Sequence, residues 1–148
     1  MKHYNYLFEY LGRDHINKRL WSLGYKNAII RHRLQHTLSD DLNAYTNPIY
    51  FYKNGKVIEK QKTTISDLNF EIAYKNYQIG NSRFENGVII TEPMDFSTKN
   101  FMSLHDQHQF LIRLMFPENF KADNSLTLTE EDYHLLYREM SVLPKESQ

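Results

Sequence analysis

The chain has no cysteine, which excludes disulfides, thiol catalysis and thiolate zinc sites. It has no excess of either charge, since 18 Lys and Arg balance 18 Asp and Glu. A nucleic-acid partner is therefore not expected, because displacing counterions needs a basic face and Arg31-His32-Arg33 is only a short basic cluster. Glycine is scarce, with five residues placed mostly at turns, so no phosphate-cradling loop can be assembled. No apolar run is long enough to span a bilayer, and no membrane-spanning segment is expected. The opening MKHYNYLFEYLG lacks the apolar core of a signal peptide, and the chain taken alone suits the cytoplasm.

Aromatic residues are abundant, with 11 Tyr and 9 Phe. Tyrosine buries a ring while keeping its hydroxyl wet, so many half-buried surfaces are expected. The length, 148 residues, suits one domain. Its hydrophobic pattern runs helical, then β, then helical, which predicts an α+β fold with helical segments flanking a small antiparallel hairpin element.

Tyr4, Leu7, Phe8 and Leu11 recur at helical spacing, and Gly12 stops them. Asp14 can cap a second helix, with Ile16, Leu20 and Leu23 as its stripe and Gly24 as its end. Such stripes usually mean core. From Ile49 the period becomes two. Asn54-Gly55 and Asn86-Gly87 each sit between strand-like runs, the strongest short hairpin signal, and NFEIAY offers a further strand. Helical patterning returns at Ser103, where Asp106 completes a capping-box-like pair, and Leu104, Leu111, Ile112, Leu114 and Met115 supply an apolar face up to Pro117. Thr129 and Asp132 open a last helix, with Tyr133, Leu136, Tyr137 and Met140 on one face.

Two histidine pairs have ligand-like spacing, His32 with His36 and His105 with His108. A third ligand at matching spacing is missing and there is no H-E-x-x-H, so no metal site is expected. Asp40 and Asp41 are adjacent, and neighbouring side chains diverge, which makes them a poor general acid/base pair. No serine is followed three places on by lysine, and there is no G-x-S-x-G. Spacing alone thus reaches a mixed domain with no complete active site and no implied cofactor.

The first third, HYNYLFEYLGRDHINKRLWSLGYKNAIIRHRL through DDLNAYTNP, resembles the segment that follows S-D-N in serine β-lactamases and penicillin-binding proteins. It comes closest to the β-lactamase-like serine hydrolases common in Bacteroidetes, and FSTKN through VLPKES resembles their later segment. The resemblance rests on the order of helices, loop and turns, not on a catalytic signature. It divides the chain into a helical wall and ω-like loop (1–47), a β insertion (48–96) and a helical part (97–148). It implies that the S-x-x-K serine would lie before Met1, S-D-N just before Tyr4 and K-T-G beyond Gln148. It also sets Asn43 on the asparagine of the ω loop and Ser39, not a glutamate, on the position that activates water. Asp40, Asp41 and Asn43 are then cleft-lining candidates. The resemblance implies an interior fragment of a periplasmic or envelope enzyme that forms an acyl-enzyme with a β-lactam or a peptidoglycan-like peptide. That fragment is expected to be inactive alone and to associate with the rest of its parent or with itself. The alternative reading is a non-enzymatic envelope interaction module.

Overall fold

The computed structural model describes residues 2–34, 38–70, 78–121 and 125–142. It is a mixture of helices and small antiparallel sheets, as α+β patterning predicts, in two compact units, Met1–Ser103 and Leu104–Gln148.

The first unit opens with α1, Lys2–Ser22, which breaks at Gly12, where φ is 75° and ψ 153°. The two predicted helices are therefore present and joined through a left-handed glycine. A Cβ at Gly12 would sit 3.5 Å from Thr64 Oγ1 and 3.8 Å from Thr46 Cγ2. A short helix, α2 (Asp40–Asn43), follows, with Ser39 as its N-cap. Next comes a hairpin of β1 (Ile49–Lys53) and β2 (Lys56–Gln61), its register shifting between Phe51 and Tyr52. β3 (Gln78–Ile79) pairs with β6 (Met94–Asp95), and between them β4 (Arg83–Glu85) pairs with β5 (Val88–Ile90). Both Asn-Gly turns have positive φ at both central residues, 51° and 74° at Asn54-Gly55 and 51° and 84° at Asn86-Gly87. That geometry matches the right-handed twist of the strands.

NFEIAY supplies no strand at Asn69 and Phe70, and the rest of it lies outside the described residues. The apolar stripe of α1 also departs from expectation. Phe8 is buried, but Leu7 and Leu11 are exposed. The buried apolar set of this unit is small (Phe8, Tyr25, Ala28 and Ile29), while Arg13, Asn17, Arg33, Asn43 and Thr46 are buried beside them. A core this polar stands only if its polar atoms are paired.

The second unit contains α3 (Leu104–Met115), a 3₁₀ turn (Pro117–Asn119) and α4 (Glu130–Ser141). Its first helix begins at Leu104. Of the predicted α3 face, Leu114 is buried while Leu104 is exposed. Tyr137 donates its hydroxyl to the Leu114 carbonyl at 2.7 Å. Thr129 and Asp132 form the predicted capping box, each accepting from the other's backbone N–H. Pro144 lies outside the described residues. Among the described residues no helix is long and apolar enough to cross a membrane.

Candidate functional site

The segment from Ile29 to Leu34, which the family resemblance implies is strand-like, is irregular, with a bend at His32 and a turn at Leu34, and apart from the bridge between Ile29 and Phe101 it joins no sheet among the described residues. Its backbone groups turn instead to asparagine side chains. Asn17 Oδ1 accepts from Ile30 N at 2.9 Å, and its Nδ2 donates to Ile30 O at 2.8 Å. Asn100 Oδ1 accepts from Arg31 N at 2.6 Å and His32 N at 2.9 Å, while its Nδ2 donates to His32 O at 2.8 Å. Asn43 Oδ1 accepts from Arg33 N at 3.2 Å. Asn5 closes the series, accepting from Leu34 N at 2.8 Å and donating to Leu34 O at 3.0 Å. A side-chain amide carries both a donor and an acceptor, so one asparagine can stand in for the neighbouring strand at one residue.

From this segment Arg33 turns inward and organises the loop that follows. Its Nε donates to Glu9 Oε1 at 2.6 Å, Nη1 to Asn43 Oδ1 at 3.2 Å and Nη2 to Tyr45 O at 2.6 Å, with the guanidinium over the Phe8 ring at 5.0 Å. Glu9 also accepts from Asn47 N at 2.6 Å and Asn47 Nδ2 at 2.9 Å. Burial pushes the Glu9 carboxyl up. The hydrogen bonds from Arg33 and Asn47, with the Arg33 charge, outweigh that and hold its pKa below the ordinary carboxylate value.

The three candidate residues of the loop differ sharply. Asn43, 1% exposed, spends its whole hydrogen-bonding capacity inside the loop. It accepts twice from Arg33 and donates to Leu38 O at 3.1 Å and Ser39 O at 2.9 Å. It therefore holds the loop's shape. Asp40 is 41% exposed on its side chain and binds Arg13 Nη1 at 3.1 Å and Arg31 Nη1 at 3.7 Å. Both guanidiniums lie over the Phe70 ring, at 5.0 and 4.6 Å. Asp41 is exposed.

Asp40 and Asn43 line a cavity of about 440 Å³ with His32, Ser39, Thr98 and Lys99. Asp41 is not among its lining residues. The chemistry available in this cavity is limited. Ser39 Oγ accepts from Leu42 N at 3.3 Å as the cap of α2. The His32 ring donates from Nδ1 to Arg33 O at 2.7 Å and accepts at Nε2 from Asn100 N at 3.3 Å, so neither nitrogen is free to serve a nucleophile or a metal. Its partner in the sequence pattern, His36, lies outside the described residues. His105 and His108 are both exposed on α3, and among the described residues no three His, Asp or Glu gather to hold a metal.

Sequence reasoning missed Glu9, Arg33, Asn5, Asn17 and Asn100, and it named Asn43 as a cleft-lining residue rather than as a buried tie. The signal open to it was polar residues inside otherwise apolar periods, such as Asn17 between Ile16 and Leu20. No family model, no curated protein and no solved structure matches the chain.

Proposed function

We propose that this chain forms the non-catalytic wall of an acyl-transfer cleft, as the ω-loop side of a β-lactamase-like serine hydrolase whose nucleophile lies outside residues 1–148. One observation carries the reading. The loop Leu38–Pro48 is fixed from within by Asn43 and from beneath by Glu9 and Arg33, and Asp40 is presented on a polar cavity. A wall fixed before substrate arrives need not be reorganised during reaction, which is what such a cleft requires. The order of the elements supports it as well: a glycine-broken helix pair, the turn at Gly24, an arginine-bearing irregular segment, a capped loop and a Thr46-Asn47-Pro48 exit.

Acyl transfer needs a nucleophile, a base within reach and an oxyanion hole, and Ser39 and His32 are both committed elsewhere. The purified chain should therefore fail to take up a fluorescent penicillin covalently. Stoichiometric labelling of any serine in it would overturn the reading.

A binding-module reading draws on a different feature. Tyr6, Leu7 and Tyr10 on α1 and Pro48, Ile49 and Phe51 line an apolar groove of about 840 Å³. Light scattering showing a monomer that persists on concentration would weaken it.

A further inference from the structure

We propose that the chain associates with a second copy of itself through its two unlike hairpins, the β1–β2 hairpin of one copy docking on the β4–β5 hairpin of the next. This goes beyond the proposed cleft and does not depend on it.

The β1–β2 hairpin is basic, and the nested β3–β6 and β4–β5 pairs are acidic as a unit, although β4–β5 by itself, with Arg83 and Glu85, is neutral. Ile49–Lys62 holds Lys53, Lys56, Lys60 and Lys62 against a single acid, Glu59. Gln78–Asp95 holds Glu85, Glu92 and Asp95 against a single base, Arg83. In a chain whose charges cancel overall, this separation of charge between two elements is pronounced. Among the described residues Lys53, Lys56 and Lys62 join no ion pair, while Arg83 is shared between Glu85 and Glu92 at 3.0 Å each.

Each hairpin also exposes an apolar cross-strand pair. Tyr52 stands opposite Val57, at 65% and 50% exposed, with Tyr50 opposite Lys60 on the same strands. Phe84 stands opposite Ile89, at 76% and 72% exposed. Exposed apolar groups paired across a two-stranded sheet gain from being covered, and charges around them select what covers them. Beside β4 lies a cavity of about 660 Å³ whose lining includes Phe84, three acids (Glu85, Glu92 and Asp95) and two bases (Arg83 and Lys99). A basic apolar hairpin would also suit an anionic bilayer, but the acidic apolar hairpin would not, and a second copy accounts for both.

The contact is between unlike surfaces, so it should propagate and not close at two. Sedimentation velocity of the purified chain should show concentration-dependent association that weakens as salt is raised. The pair Lys56→Glu with Lys60→Glu should weaken it at least about tenfold, and so should Glu85→Lys with Glu92→Lys. Mixing the two double variants should restore it, because each then meets its opposite. Carbodiimide cross-linking of the unmutated chain, mixed with an isotope-labelled copy, provides a test that needs no variant. It should join hairpin lysines of one copy to Glu85, Glu92 or Asp95 of the other. A monomer at all concentrations, cross-links elsewhere, or no recovery on mixing folded variants would overturn the proposal. So would binding to phosphatidylglycerol vesicles through the basic hairpin without self-association.

Discussion

Arg33 holds Glu9 at 2.6 Å while its other nitrogens reach Asn43 and the carbonyl of Tyr45. One buried guanidinium thus fastens the loop at Asn43 and Tyr45 to Glu9 on α1. Breaking a buried ion pair from one side costs more than the pair contributes, because the remaining charge is left without a partner. Arg33→Met should therefore destabilise the first unit by about 3 kcal/mol, read as a shift in the urea midpoint.

Glu9 gives this network a pH dependence. Its pKa is lowered in the folded chain, so its stabilising contribution is complete above the unfolded carboxyl value of about 4.3 and is lost as pH falls through the lower folded value. Urea denaturation in acid should show that loss. In Glu9→Gln, stability at neutral pH should be lower and the acid-side slope shallower. An unchanged slope would remove Glu9 from the account.

Asn43 and Asp40 separate a buried role from an exposed one. Asn43→Ala removes the side-chain partner of the Leu38 carbonyl and of the Arg33 N–H and one of the two donors to the Ser39 carbonyl, which should cost about 1–3 kcal/mol and speed hydrogen exchange at Arg33. Asp40→Ala removes ion pairs between the half-exposed Asp40 and the buried Arg13 and mostly buried Arg31, but Arg13 keeps its bonds to Ser66 Oγ and the Asp40 carbonyl, so the change should cost no more than about 1 kcal/mol, less in high salt. The reverse ranking would mean that Asp40, not Asn43, holds the loop.

Gly12 occupies the left-handed region at φ 75°. Gly12→Ala should destabilise the first unit by about 1–2 kcal/mol through backbone strain alone, since the nearest side-chain atom is 3.5 Å from the new Cβ. Thermal unfolding by circular dichroism would measure it.

In the second unit Thr129→Ala removes the N-cap of α4 and should cost about 1 kcal/mol. Hydrogen exchange should quicken in the first turn of α4.

The turns, stops and caps were legible in the sequence because each depends on residues close together: Asn54-Gly55, Asn86-Gly87, Gly12 and Thr129 with Asp132. The Ile30–Leu34 segment was not. Its partners lie far off in the chain, as with Asn100 and His32, 68 residues apart, or Asn5 and Leu34, 29 apart. A local period cannot reveal that side-chain amides replace a neighbouring strand. The same limit hid Arg33, which sequence placed in a short basic cluster and the structure buries against Glu9 and Phe8. The stripe of α1 was legible as a helix but not as to what covers it, since Leu7 and Leu11 keep the period of a core face and remain exposed.

The cleft-wall account stands or falls on where an acyl group attaches. The most direct measurement isolates from its native cells the protein that carries this sequence, labels it with a fluorescent penicillin and maps the label by peptide mass spectrometry. The account predicts label on a serine outside residues 1–148 and none on Ser39 or any other serine within them. Label on a serine inside the chain, or no label on the native protein, would contradict it.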